Sequence, residues 1–115
     1  MSDTCLFCRI VQGEIPATIV AESDHAIAFR DINPQAPVHV LVIPKTHIVS
    51  LAEAEQADPQ ILAAVLQLAG KVAKDHGIEE SGYRTVINTN GDAGQTVHHL
   101  HAHVIGGRHM AWPPG

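Results

Sequence analysis

Residues 97–105 read Val-His-His-Leu-His-Ala-His-Val-Ile, so His99, His101 and His103 alternate with apolar neighbours. Imidazole is the side chain whose ordinary pKa lies nearest neutrality, and such a row can supply a nucleophile, proton donors and acceptors, or metal ligands. On an extended strand the alternation sends these histidines to one face and Leu100, Ala102 and Val104 to the other. A second group with chemistry in it is Cys5-x-x-Cys8. That spacing serves as half of a zinc site or as a redox pair. A redox pair belongs at a strand-to-helix turn inside a βαβ pattern, whereas this one stands near the start of the chain. Zinc is therefore favoured if histidines complete the site. His39, within the apolar run Val38 to Ile43, needs a partner or a function of its own.

The rest of the composition narrows the classes. The chain has 115 residues, 45% of them hydrophobic, which fits one domain spanning 1–115 with a buried core. Nine histidines and a formal charge of −5 accompany only seven Lys and Arg, scattered without a run. A protein held by nucleic-acid phosphates would show a basic patch, so no nucleic-acid partner is expected. No apolar stretch is long enough for a membrane span and no secretory signal is visible, so no membrane partner and a cytoplasmic location are expected.

The elements that must position these residues follow from periodicity and punctuation. Cys8 to Gly13 reads as one or two turns of helix ending at glycine. Ile19 to Glu22 and Ala26 to Arg30 read as strands of a hairpin around Ser23-Asp24-His25. Asn33-Pro34-Gln35-Ala36-Pro37 is a connecting loop, because its prolines remove donors and extend their predecessors. Val38 to Ile43 is a central strand ended by Pro44, with His39, Leu41 and Ile43 on one face. Ser50-x-x-Glu53 has the form of a capping box, and Asp58-Pro59 that of an N-cap followed by a first-turn proline. Ile61, Leu62, Val65, Leu66, Ala69, Val72 and Ala73 then mark one long amphipathic helix, stopped by Gly77. Tyr83 to Asn88 is a further strand, and the turn Asn90 to Gln95 leads into the histidine strand. The order predicts an α+β fold with an antiparallel sheet.

Several of these segments together resemble the histidine triad superfamily. Its signature, His-φ-His-φ-His-φ-φ with φ apolar, is met by His99 to Ile105. The likeness extends through Phe29-Arg30-Asp31-Ile32, Pro34-Gln35-Ala36-Pro37-Val38-His39-Val40-Leu41-Val42-Ile43-Pro44-Lys45 and Gly94-Gln95-Thr96-Val97. The ending Trp112-Pro113-Pro114-Gly115 is similar to that of the Hint branch, the purine nucleoside phosphoramidases.

The resemblance implies a five-stranded antiparallel sheet with one long and one or two short helices, joined edge to edge with a second copy into a ten-stranded sheet. It implies cleavage of purine nucleoside phosphoramidates of the AMP-amine type, with no cofactor required for catalysis. His101 would be the nucleophile and form a nucleotidyl-histidine that water then releases. His99 would fix its tautomer through the backbone carbonyl, and His103 or His39 would protonate the leaving nitrogen. Phe7, Ile10, Phe29 and Ile32 would line the base pocket, and Asp31 would accept the ribose hydroxyls. Asn88 would contact phosphate or sugar, and Gly94, Gln95 and Thr96 would offer donors to the phosphoryl oxygens. Trp112 belongs to a tail that reaches the partner's site in that branch. Thr96 stands where Hint sequences often have serine, which keeps the hydroxyl and adds a methyl.

Some superfamily members also bind zinc through an N-terminal C-x-x-C and two histidines, here Cys5, Cys8, His47 and His99, a set suited to a structural zinc. Hint proteins with this ending frequently lack the cysteines, so the chain combines features of two groups. Plainer readings stand beside these. The alternating histidines could themselves form a metal site, and His39 could be a satisfied core residue. Phe7, Ile10, Phe29 and Ile32 could be ordinary core, and Asp31 a turn cap. His25, His76 and His109 read as surface residues and His98 has no assigned role. The alternatives to a phosphoramidase are a dinucleoside polyphosphate hydrolase and a nucleotide-sensing or scaffold protein.

Overall fold

One antiparallel sheet carries apolar side chains on both faces, so that β-branched and apolar residues run almost unbroken along its central strands, as a computed structural model describing residues 4–115 shows. The strands are β1 (Ile19–Glu22), β2 (Ala26–Arg30), β3 (Val38–Pro44), β4 (Tyr83–Ile87) and β5 (Ala102–Gly106), in the order β1-β2-β3-β5-β4. Every pairing is antiparallel. The expected hairpin is present with the boundaries read from the sequence, and β3 is central and almost wholly buried. It runs one residue further than expected because Pro44 still pairs with Ala26, a position at which proline's missing N–H is tolerated.

The long helix α2 (Pro59–Asp75) packs on one face of the sheet. Asp58 caps it by accepting from the Gln60 N–H at 2.9 Å, and Gly77 ends it with φ +74°. Small residues at Ala26, Ala28 and Ala102 let α2 approach closely, and Val40, Val42 and Val104 fill the space beneath Val65, Leu68, Ala69 and Val72. Burying each such valine contributes roughly 1.5 kcal/mol or more. The helix is rotated slightly from the expected face: Leu68 is buried, whereas Leu66 is 57% exposed. The capping box closes on a 3-10 turn, Leu51–Gln56, with Ser50 Oγ accepting from Ala52 N and Glu53 Oε1 from Val49 N.

The opposite face is covered only in part. Helix α1 (Leu6–Val11) lays Phe7 and Ile10 over Ile27, Phe29, Leu41 and Ile43. It starts earlier than Cys8, the expected first residue, because the Cys5 sulfur caps it by accepting from the Cys8 N–H. Beyond α1 this face is left open, and the histidines of β3 and β5 stand there.

Two expected strands are shorter in the structure. β4 ends at Ile87, and β5 begins only at Ala102. His99 and His101 therefore lie on an irregular approach to β5, not on its ladder. The Leu100 N–H donates to the Ile48 carbonyl at 2.6 Å instead of to a neighbouring strand. That bond frees the histidine rings from strict alternation, and they diverge. Among the described residues no helix is long and apolar enough to cross a membrane.

Candidate active site

The uncovered face carries a cavity of about 790 Å³, walled by Phe7, Ile10, Phe29 and Leu41, with Asp31 and Ile32 at its rim and Thr96, His101 and His103 at its floor. This volume suits a nucleotide-sized ligand, and its apolar wall with a few convergent polar groups is the usual form of a small-molecule site. Phe7 meets Phe29 edge-on at 5.5 Å and His101 at 5.2 Å, so the N-terminal helix braces the imidazole directly.

Hydrogen bonds settle the tautomers. His101 Nδ1 lies 2.7 Å from the His99 carbonyl. A carbonyl can only accept, so Nδ1 carries the proton and Nε2 keeps a free lone pair. His101 is buried, yet it lines the cavity.

A second chain of bonds begins at the Gln35 backbone N–H, which donates to His39 Nδ1 at 3.0 Å. His39 Nε2 must then bear the proton of the neutral ring, and it lies 2.9 Å from His103 Nδ1. Asp31 Oδ2 is 3.3 Å from the same Nε2. With His103 Nδ1 accepting, the proton of its neutral ring sits on Nε2. His103 lines the cavity and His39 does not, so the second ring stands behind the first. Burial lowers the pKa of His39 against the opposing pull of Asp31. Burial, and then the neighbouring histidines, lower that of His103 from 6.5 to about 4.

These shifts carry a sign for stability. Between about pH 6.5 and about pH 4 the unfolded chain binds protons at these positions that the folded chain excludes, so stability falls as pH drops through that window. Thermal midpoints measured from pH 7 to 4 should decline, and His103→Asn should flatten the decline; an unchanged slope in that variant would refute the assignment.

His99 faces away from the cavity. Its Nε2 donates to the Pro44 carbonyl at 2.8 Å, leaving the Nδ1 lone pair directed at two thiols and another imidazole. Nδ1 is 3.4 Å from Cys5 Sγ, 3.6 Å from Cys8 Sγ and 3.2 Å from His47 Nδ1, while Cys8 Sγ is 3.2 Å from His47 Nδ1. All four ligand atoms lie within 4.8 Å of one another. A tetrahedral zinc with ordinary Zn–N and Zn–S lengths places nitrogens about 3.3 Å apart and nitrogen about 3.6 Å from sulfur. The cluster thus has the dimensions, the donor types and the orienting carbonyl of such a site. Burial, the largest influence, lowers the His99 pKa to about 4, which keeps the ring neutral and able to ligate. Asp31, His39 and His103 also bring three ligand atoms together, but the Gln35 N–H holds the proton on the His39 nitrogen that would have to ligate.

Of the residues singled out in the sequence, Phe7, Ile10, Phe29, Asp31, Ile32, Thr96, His101 and His103 meet at one cavity. Cys5, Cys8, His47 and His99 meet at the second cluster. Asn88, Gly94, Gln95 and Trp112 do not line the main cavity. Asn88 opens instead into a smaller one of about 490 Å³ with Arg84, Ile105 and Arg108. Gln95 is buried with its amide turned inward, and Trp112 is 82% exposed on a tail held where the Arg84 guanidinium donates to the Ala111 carbonyl. Sequence reasoning passed over Leu41, although its place two residues from His39 puts it on the same face of β3. Ile15, Pro16, Ala17 and Thr18 complete the cavity from the segment leaving α1, where no periodic signal exists.

A family model described as the HIT domain matches residues 12–110. The chain belongs to the HIT-domain family. This HIT domain is 52% identical over 115 residues to an uncharacterized HIT-like protein of Synechococcus elongatus, covering both chains fully. It is 49% identical to a 14 kDa zinc-binding protein of Zea mays, over 96% of this chain and 87% of that one. Among solved structures, a HIT family hydrolase from Legionella pneumophila superposes with a TM-score of 0.93 at 53% identity, covering 97% of this chain and all of that one. A HIT family hydrolase from Clostridium thermocellum gives 0.92 at 49% identity, with 96% of each chain covered. The α+β HIT fold with its five-stranded antiparallel sheet is thereby shown.

Proposed function

We propose that the protein hydrolyses purine nucleoside phosphoramidates through a nucleotidyl-His101 intermediate. The observation that carries this reading is the His101 Nδ1 proton bound to the His99 carbonyl at 2.7 Å, which leaves Nε2 as a nucleophile on the floor of a nucleotide-sized cavity. The likeness to the Legionella and Clostridium HIT family hydrolases supports the hydrolytic part of this reading.

The base lies against Phe7, Phe29 and Leu41, and Asp31 at the rim accepts the ribose hydroxyls. The phosphoryl group rests over His101, met by the Thr96 hydroxyl and backbone N–H, whereas the Gly94 and Gln95 N–H groups are spent within the loop on the Gly91 and Asn90 carbonyls. The substrate's negative charge draws one proton onto His103 Nδ1, and the His39 Nε2–H then turns to Asp31 Oδ2, 3.3 Å away. His101 Nε2 attacks phosphorus, and the P–N bond to the amine breaks with its electron pair on nitrogen. That nitrogen takes the proton from His103 Nε2 and leaves as a neutral amine. Water then attacks phosphorus, giving a proton back to His103, and the bond to His101 breaks with its pair returning to Nε2. Nucleoside monophosphate departs, and the pair then releases to solvent the one proton it had drawn in, leaving a neutral enzyme. Of the two candidate acids, His103 is favoured because it alone lines the cavity, with His39 as its positioning partner.

Cys5, Cys8, His47 and His99 hold a structural zinc in this reading, as the cluster's geometry and the zinc-binding name of the maize relative support. When bound, zinc supplies a closed tetrahedral cross-link and no step of the reaction. β1 and β4 are the open edges of the sheet, and in this reading a second copy pairs along β4, the strand whose Arg84 holds the tail that carries the exposed Trp112. Rapid quenching during turnover of an adenosine phosphoramidate should reveal one nucleotidyl adduct by mass, located on His101. Faster turnover of dinucleoside polyphosphates would favour that class of hydrolase instead, and tight AMP binding without turnover of any leaving group would make the protein a nucleotide sensor.

A further inference from the structure

Gln95 stands directly before Thr96, and its side chain is 6% exposed beneath the loop that approaches the histidines. Every hydrogen of its amide is already used: Nε2 donates to the Val49 carbonyl at 2.8 Å and to the Val97 carbonyl at 3.1 Å. Its Oε1 accepts from the Asn90 N–H at 2.9 Å, and the Gln95 N–H donates back to the Asn90 carbonyl at 3.1 Å. The side chain therefore has no donor left for a phosphate, but it ties both ends of the 90–97 loop to the segment that also anchors Leu100 through Ile48.

The far end of this tie is unusual. Asn90 is the only non-glycine with positive φ among the described residues, at φ +65° and ψ −173°. That combination falls in a region that essentially only glycine occupies without strain. The Asn90 side chain makes no capping bond that would explain its conformation. Strain of this kind persists only where the surroundings over-determine it, and here the paired bonds with Gln95 do so.

We propose that Gln95 is a positioning residue: it holds Asn90 in a strained conformation so that the hydroxyl and backbone N–H of Thr96 are aimed at a phosphoryl group over His101. This rests on the phosphoryl-binding part of the functional reading, and it assigns Gln95 a role by way of the loop, not by contact with the ligand.

The test uses the full chain and three variants, Gln95→Ala, Asn90→Gly and the double variant, with AMP and adenosine affinities measured by calorimetry. Gln95→Ala should weaken AMP about tenfold, the size expected for losing aligned hydrogen bonds to a charged group, and leave adenosine unchanged. Its kcat on an adenosine phosphoramidate should fall by more than its KM rises. Asn90→Gly should keep AMP affinity within about twofold and melt at or above the parental temperature, since glycine adopts this conformation freely. Adding Asn90→Gly to Gln95→Ala should restore most of the lost AMP affinity. A Gln95→Ala protein that binds AMP like the parent, that loses adenosine in equal proportion, or that gains nothing from Asn90→Gly overturns the proposal. If Gln95→Ala does not fold, Asn90→Gly alone decides: a lower melting temperature or a tenfold loss of AMP affinity overturns it. A parental chain that fails to bind AMP overturns the functional reading and this inference with it, whereas parental binding with an unaffected Gln95→Ala overturns the inference alone.

Discussion

His101→Ala should reduce kcat on an adenosine phosphoramidate by at least about 10⁴-fold, because removing the nucleophile of a covalent mechanism leaves only binding and electrostatic contributions. AMP affinity should change by less than about threefold, since the apolar wall, Asp31 and the 94–96 loop are untouched and the lost ring offers the ground state little. The paired measurement matters because loss of activity alone would also follow from a collapsed cavity. Phe7 packs edge-on against this ring, and alanine leaves a gap there that the Phe7 ring tolerates because Phe29 still supports it. Burst kinetics in the parent and none in the variant would place the covalent step on His101. Turnover by His101→Ala at the parental rate would rule the mechanism out.

Removing the metal proposed for the Cys5–Cys8–His47–His99 cluster is expected to be the largest effect on stability. Structural zinc sites hold on the order of 10 kcal/mol of apparent binding free energy at neutral pH, and a domain of this size shifts by several degrees per kcal/mol. Treatment with a strong chelator, or the Cys8→Ser variant, should therefore lower the melting temperature by more than about 10 °C. The cluster joins α1, the segment after β3 and the approach to β5, three pieces distant in the chain. Its loss also frees the His99 backbone whose carbonyl orients His101, so the His101 tautomer, read from its ring nitrogen shifts, should become mixed. Protein purified without a histidine tag should contain one zinc per chain by mass spectrometry. A chain without stoichiometric metal, or a chelator that leaves the melting curve in place, would remove zinc from the account.

Much of this architecture is legible in the chain. Short apolar runs bounded by turn residues mark β1 and β2, a β-branched apolar run ended by proline marks β3, and the spacing from Ile61 to Ala73 marks α2, because in those stretches the signal is local. Asp58-Pro59 and Gly77 bound α2 through chemistry confined to a single turn. The residues that converge on the cavity are likewise named by motif, from Asp31 after β2 to His101 and His103 near its floor.

The histidine row marks where local reading stops. Alternation places His99, His101 and His103 on one face only if the chain is extended, and whether it extends depends on a partner that the row does not contain. The Leu100 N–H bonds to Ile48, so β5 starts at Ala102 and the three rings part. Partners far away in the chain then assign their duties. Thiols more than ninety residues distant draw the ring of His99 out of the row, and Pro44 holds its tautomer. His39, across the β3–β5 pair, and Gln35 behind it set which nitrogen of His103 bears the proton. The side chain of Gln95 is claimed by Val49 and Asn90 before any ligand could reach it. Residue types and spacing thus specify a fold and a set of reactive groups, since both depend on local pattern. The division of labour among those groups follows from hydrogen bonds, burial and ring orientation, which exist only once distant segments meet.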